Sequence, residues 1–333
     1  MRLGLIGLGR IGRFHAGILR GVPAVKSLVV TDLDAALTAQ VSSELGVEAA
    51  ASPEALLAAD VDGVVIASST ATHGPLVLAA VAAGIPAFCE KPLATTAPGG
   101  ASLVRELAGS DVPVQVGFQR RFDPGMAAVY DAVRRGELGW LHTVRSTTLD
   151  PAPPPQAYIA VSGGMYRDCG VHDFDILRWI TGREVAEVYA TGSNKGAAWF
   201  TEVGDVDTSG AILTFDDGTL GMVSNTRYNA RGYDVRLEVH GSADSVAAGW
   251  EPRVPVRSVE PGGFAPAEQA HQFFMDRFAD AYRLEFEAFT EVVAGTRPSP
   301  CTVTDALEAE WIAEACDRSA REHRPVALAE VRV

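Results

Sequence analysis

Asp168 and His172 stand four residues apart in a stretch, residues 162–179, in which Gly163-Gly164 lead into a helical pattern with Val171, Phe174, Ile176, Leu177 and, just beyond, Ile180 as an apolar face. On a helix that spacing puts the pair on one side, about one turn apart. A carboxylate beside an imidazole fixes the ring's orientation and tautomer and raises its pKa. That equips a general base working near neutral pH. A capping acid and a satisfied surface histidine would read the same way, so the rest of the chain must decide. Lys91 is a second candidate. Of 28 basic residues only Lys26, Lys91 and Lys195 are lysines, so the lysine of Glu90-Lys91-Pro92 is not an interchangeable solubilising charge.

The elements that would position these groups alternate. Residues 2–7 read as a buried strand that runs into Gly7-Leu8-Gly9-Arg10-Ile11-Gly12 and a helix to about Arg20. A second strand, residues 27–31, ends in Asp32. This is the full dinucleotide-binding context: Gly7 for the tight turn, Gly9 for close approach to pyrophosphate, Gly12 for helix–strand packing. The helix N-terminus at Arg10 and Ile11 offers its N–H groups to the pyrophosphate. Asp32 would accept from the ribose hydroxyls and repel a 2′-phosphate, which favours NAD over NADP; Asp34 is the weaker ribose candidate. Helices at residues 33–45, 53–59, 75–83 and 97–108 interleave with strands at 63–67, 87–90 and 114–116. Such alternation predicts a doubly wound parallel sheet with ligands at the carboxyl ends of its strands. Ser68, Ser69 and His73 follow one such end, and Glu90 and Lys91 another. The serines suit ribose and nicotinamide contacts and suit turn formation equally.

At 333 residues the chain has room for two domains, expected at 1–118 and 119–333. A net charge of −14 argues against nucleic acid and anionic membranes as partners. No apolar run approaches the roughly 20 residues of a membrane span, and a strand starting at Arg2 leaves no room for a signal peptide. The expectation is a cytoplasmic protein. Cys89, Cys169, Cys301 and Cys316 show no C-x-x-C spacing, so neither a zinc knuckle nor a disulfide scaffold is indicated.

Past residue 118 the character turns β-rich. Strands are predicted at 141–149, 185–191, 209–215, 220–228 and 234–240, with Asp216-Asp217-Gly218 as a hairpin turn. With helices at about 124–135, 273–294 and 304–319 they make an α+β domain built on a large, mostly antiparallel open sheet. Apolar residues on both faces of 211–215 point to a subunit partner. Pro151-Ala-Pro-Pro-Pro155 is a stiff extended loop that could wall or cover the Asp168/His172 helix.

Together Gly7–Gly12, Cys-Glu-Lys-Pro-Leu-Ala-Thr-Thr-Ala (89–97), Gln-Val-Gly-Phe-Gln-Arg-Arg-Phe-Asp (115–123) and Asp168-x-x-x-His172-x-x-Asp175 resemble the Gfo/Idh/MocA oxidoreductases, and among them the inositol 2-dehydrogenases. Gly232-Tyr-Asp-Val and residues 275–282 extend the likeness. The resemblance implies NAD on the first domain, a small polyol or sugar as substrate, no metal, a homotetramer and a cis Lys91–Pro92 peptide. It implies Lys91, Asp168 and His172 as the catalytic set. Arg120, Asp150, Asp175, Tyr233 and Tyr282 would be substrate- or cofactor-side. At residues 148–151 the chain has Thr-Leu-Asp-Pro where inositol dehydrogenases often carry a His-Arg-Asn-Pro-like sequence, which leaves the polyol open. Another sugar dehydrogenase, an NAD-using glycosidase and a dinucleotide sensor remain as alternatives. The zinc alternative is weak, because Cys169 beside Asp168 and His172 makes a poor ligand set.

Overall fold

Strands buried on both faces read as short continuous apolar runs, and such runs build the amino-terminal sheet. In the computed structural model, which describes residues 1–263 and 267–332, β1 (Arg2–Ile6), β2 (Ser27–Thr31), β3 (Glu48–Ala49), β4 (Gly63–Ile66), β5 (Ala87–Glu90) and β6 (Val114–Gly117) pair in parallel in the order β3-β2-β1-β4-β5-β6. That order is the doubly wound dinucleotide-binding sheet, with its switch point between β1 and β4. Side chains alternate between two cores. Leu3, Leu5, Leu28 and Val30 pack on Ala16, Leu19 and Val41, while Val29, Val64 and Ile66 pack on Leu56, Val77 and Ala80. Asp34 caps the helix Ala35–Leu45 by accepting from the Ala36 and Leu37 N–H groups, which accounts for that residue without a ligand.

The chain clusters into two units, and the division differs from a single cut after residue 118. Met1–Gln119 and Asp280–Leu307 form the first; Arg120–Ala279 and the residues from Glu308 onward form the second. The expected helix at 273–294 is in fact a short turn, Phe274–Arg277, and a longer helix, Ala279–Val293, broken at Phe278. The longer helix buries Phe286, Phe289 and Val292 in the first unit's core, so its apolar stripe decides which unit it joins.

The second unit is a seven-stranded sheet of β7 (Leu141–Leu149), β8 (Val185–Ser193), β9 (Thr208–Phe215), β10 (Leu220–Thr226), β11 (Asp234–Gly241), β12 (Ser245–Ala248) and β13 (Val326–Ala327), in the order β12-β11-β7-β10-β9-β8-β13. Only β7 and β10 run parallel; the other neighbours are antiparallel. β10 alternates buried and exposed side chains, so the sheet has a covered face and an open one. The helix Val171–Thr181 buries Phe174, Ile176, Leu177 and Ile180 and lies against β7 and the helix Pro124–Arg134. Tyr189, Ile212 and Met222 remain exposed on β8, β9 and β10. The two-residue strands β3 and β13 and the four-residue β12 are too short for alternation to reveal them.

Candidate active site

Each unit contributes a separate set of groups. In the first, Gly7 sits at φ +95°, where an added Cβ would lie 2.5 Å from the Ser68 backbone nitrogen. A Cβ on Gly12 would lie 1.9 Å from the Gly7 carbonyl oxygen, whereas one on Gly9 would meet nothing within 4 Å. Gly7 and Gly12 thus close the turn while Gly9 leaves open space at the start of the helix Arg10–Gly21. No side chain caps that helix and no acid lies in its first turn, so its N–H groups remain available to an anion. The Asp32 carboxylate is pinned beside the turn, accepting from the Leu8 N–H at 2.7 Å and the Asp34 N–H at 2.9 Å. Open space at Gly9, an uncapped helix start and a fixed acid fit a dinucleotide whose ribose hydroxyls meet Asp32. Asp32→Ser is therefore expected to lower the preference for NAD over NADP, in kcat/KM, by about tenfold or more, since a hydrogen bond to a charged group contributes about 1.5–3 kcal/mol. An unchanged ratio would remove Asp32 from the ribose site.

Lys91 follows the carboxyl end of β5, and the Lys91–Pro92 peptide is cis, as the resemblance implies. Two neighbours expected on the cofactor side are placed differently. His73 is 1% exposed, with Nδ1 2.7 Å from the Pro92 carbonyl oxygen and Nε2 3.1 Å from that of Ser68. Burial lowers its pKa, against the raising effect of both carbonyls. His73 lies between the segments that follow β4 and β5, both ring nitrogens facing backbone carbonyls. Glu90 is also buried: Oε1 meets His15 Nε2 at 2.6 Å and Oε2 accepts from the Lys91 N–H at 3.2 Å. The Ser68 hydroxyl pairs with that of Thr72, and the Ser69 carbonyl accepts from Thr72, which favours their turn-forming role. Tyr282, expected at the substrate, lies in the first unit with its ring 5.2 Å edge-on from Phe14 and 5.5 Å from His15.

In the second unit, the glycine pair leads not into a plain α-helix but into one π-helical turn, Tyr166–Gly170, followed by the helix Val171–Thr181. Such widened turns often occur at functional positions. Asp168 lies in the π turn and His172 in the first turn of the helix. Asp168 Oδ1 accepts from the Tyr158 hydroxyl at 2.8 Å, and Oδ2 accepts from Arg227 at 2.7 Å. The other end of the Arg227 guanidinium donates to Asp150 Oδ2 at 2.7 Å. Burial pushes the Asp150 carboxyl up, with Arg227 opposing, while Arg227 itself is held above its ordinary value by the acids around it despite burial.

Three expected substrate contacts prove to be interior. Asp173, which the sequence reading passed over, is fully buried and accepts from Arg120 at 2.7 Å, Ser146 at 2.5 Å, Thr148 at 2.8 Å and Asn225 at 2.8 Å. Arg120 is 1% exposed, with both terminal nitrogens spent on Asp173 and Thr148. Asp175 is fully buried in a two-bond pair with Arg121, at 2.5 and 2.9 Å. Consecutive arginines on the 3-10 turn Gln119–Phe122 thus clamp two acids of one helix. The terminal nitrogens of Arg120 and both carboxylate oxygens of Asp175 are engaged in internal pairs. Tyr233 is buried too, its phenol pushed up by burial.

His15, Tyr158, Asp173 and Arg227 were not picked out from the sequence. For Arg227 the signal was there: the alternation of β10 sends Val223, Asn225 and then Arg227 to the buried face, where a polar side chain requires a partner. Ser146 and Thr148 do the same along β7. The polar network therefore gathers at the carboxyl ends of the one parallel pair in this sheet.

Residues 1–118 match the family pattern described as oxidoreductase family, NAD-binding Rossmann fold, and residues 126–247 match the Gfo/Idh/MocA C-terminal domain. The chain belongs to the Gfo/Idh/MocA oxidoreductases. A myo-inositol 2-dehydrogenase of Thermotoga maritima is 37% identical over 333 residues, covering 99% of each chain. A crystal structure of a dehydrogenase from Thermotoga maritima superposes with TM-score 0.93 at 36% identity, covering all of both chains. A scyllo-inositol dehydrogenase from Lactobacillus casei, with bound NAD(H) and scyllo-inositol, gives TM-score 0.89 at 28% identity over 99% of each chain. This Gfo/Idh/MocA chain is an NAD-dependent dehydrogenase of the class that acts on CH–OH groups, with NAD as the cofactor of its Rossmann unit. Among the described residues no cluster of three or more His, Cys, Asp or Glu could hold a metal, and no helix is long and apolar enough to cross a membrane.

Proposed function

We propose that the chain oxidises a secondary hydroxyl of a cyclitol, myo-inositol or a stereoisomer, to the ketone. The observation that carries this reading is the Asp168 carboxylate, fixed by Tyr158 and Arg227 on the turn that leads into His172, in a chain similar over nearly its whole length to inositol 2-dehydrogenases. NAD, when bound to the first unit, supplies the hydride acceptor. His172 removes the hydroxyl proton, and the Asp168 carboxylate holds the imidazole and stabilises its protonated form. Lys91 donates to the substrate oxygen and stabilises the negative charge that develops there. Gly7, Gly9, Arg10, Ile11, Gly12 and Asp32 form the proposed dinucleotide cradle. Asp150, through the carboxylate oxygen not taken by Arg227, is the proposed polyol contact from the proline-rich loop.

The test is reduction of NAD in the presence of myo-, scyllo- and D-chiro-inositol, glucose, galactose and xylose, followed by nicotinamide absorbance. Turnover with an inositol is expected. Turnover with a sugar alone would move the substrate to that sugar and assign the change to residues 148–155. No turnover with any of them would end the reading.

A homotetramer formed through the open sheet face follows from the same argument, since Tyr189, Ile212 and Met222 leave apolar surface uncovered there. Light scattering that reports a monomer at micromolar concentration would refute it. The four cysteines are buried and none is in a disulfide, in keeping with a reducing cytoplasmic setting.

A further inference from the structure

We propose that Arg227 is the positioning residue of the Asp168/His172 pair: anchored at one end by Asp150, its guanidinium holds the Asp168 carboxylate both in place and ionised. This rests on the reading that Asp168 and His172 carry out the proton transfer, and extends it to a residue outside the pair.

The placement follows from register. β10 and β7 run parallel with Thr226 beside Leu149, so the next residues on the two chains are Arg227 and Asp150. The ladder continues past both strands, with the Asp150 N–H donating to the Thr226 carbonyl at 2.8 Å and the Asn229 N–H donating to the Asp150 carbonyl at 2.7 Å. Arg227 is thus set by backbone bonds and by Asp150 before it meets Asp168. Its planar fork can engage two carboxylates in fixed directions, which a lysine ammonium cannot.

The neighbourhood makes the charge matter. Around Arg227 lie Asp150 at the end of β7, Asp168 and Cys169 on the π turn, and Asp205 ahead of β9. Arg120 and Tyr233 face Asp150, and the Tyr158 hydroxyl reaches Asp168 from the short helix Gln156–Ile159. Arg227 is 3% exposed, so its attraction for Asp168 is little screened by water. Without it, Asp168 would face Asp150 and Asp205 as like charges in a partly buried site, and its neutral form would be favoured. A protonated Asp168 cannot stabilise the imidazolium that His172 becomes when it takes the hydroxyl proton. A buried ion pair adds little to folding on its own. What this one supplies is a charged, aimed carboxylate at the place where the proton is received.

The experiment is a carboxyl-carbon NMR titration of the full-length protein labelled at aspartate, with the Asp168 resonance assigned by its loss in Asp168→Asn. In Arg227→Met the Asp168 midpoint is expected to rise by about one pH unit or more, the usual effect of losing an opposite charge at contact distance. With the polyol that the wild type oxidises, the same variant is expected to lose tenfold or more in kcat with little change in KM for NAD. An Asp168 midpoint that stays at the wild-type value in folded Arg227→Met would overturn the proposal, leaving Arg227 as a strand staple that affects melting temperature alone. Should Arg227→Met not fold, Arg227→Lys gives the same readout: a point charge cannot span both acids, so a smaller upward shift supports the proposal and no shift overturns it. If the wild type oxidises no polyol, the cyclitol reading fails by itself, and the titration still decides the role of Arg227.

Discussion

His172→Ala is expected to lower kcat by about 10²–10⁴-fold, the contribution of a positioned general base. Lys91→Ala is expected to fall by at least the lower figure, because it removes a donor aimed at developing negative charge. The two variants should keep their affinity for NAD within a few-fold, read by quenching of tryptophan fluorescence, since the cradle at Gly7, Gly9, Gly12 and Asp32 is untouched. The two lesions differ in pH behaviour. Loss of the base removes the acid limb of the kcat/KM profile, whereas loss of Lys91 lowers the whole profile. Wild-type-like turnover in either variant would strip that residue of its role.

The largest stability effect is expected at Asp173, not at the catalytic pair. Asp173→Ala removes the acceptor for Arg120, Ser146, Thr148 and Asn225 at once. Arg120, 1% exposed and already without a partner at Nε, would be left as an uncompensated buried cation. Breaking a buried ion pair from one side costs about 3–5 kcal/mol. A large fall in the denaturant midpoint is therefore predicted. Arg120→Met combined with Asp173→Leu should recover much of the loss, because the charge and its partner leave together. A single Asp173→Ala that costs under about 1 kcal/mol would show that water enters and takes over the acceptor's role.

Some of this could be read from the chain directly and some could not, and the difference is physical. β2, β5 and β7 fall at the expected residues because apolar periodicity and turn residues mark both their ends. The glycine loop and Asp32 were legible because the motif is local: the glycines and the acid lie within one strand–turn–helix–strand unit, although Gly7 also packs against Ser68 after β4. The Glu90–His15 contact was illegible because the two residues are 75 positions apart, and an acid beside a lysine looks like a ligand contact until that partner is known. The internal partners of Arg120 and Asp175 were illegible for the same reason, lying 53 and 54 residues distant. In the Asp-x-x-x-His-Asp-x-Asp segment spacing cannot tell which acid faces outward, and the interior position of Asp173 emerges only when β7 and β10 bring Ser146, Thr148 and Asn225 to it. The π turn was illegible because no local sequence rule distinguishes it from an α turn.

The measurement that bears most directly on the central claim is the fate of the carbinol hydrogen. An inositol deuterated on its ring carbons would be incubated with NAD and the enzyme, and the reduced dinucleotide isolated and analysed by NMR. The account predicts one deuterium at C4 of the nicotinamide for each ketone formed, and the same one-to-one ratio at a far lower yield in His172→Ala. Reduced dinucleotide carrying only protium, or ketone formed without it, would contradict direct transfer from the polyol carbon and with it the proposed reaction.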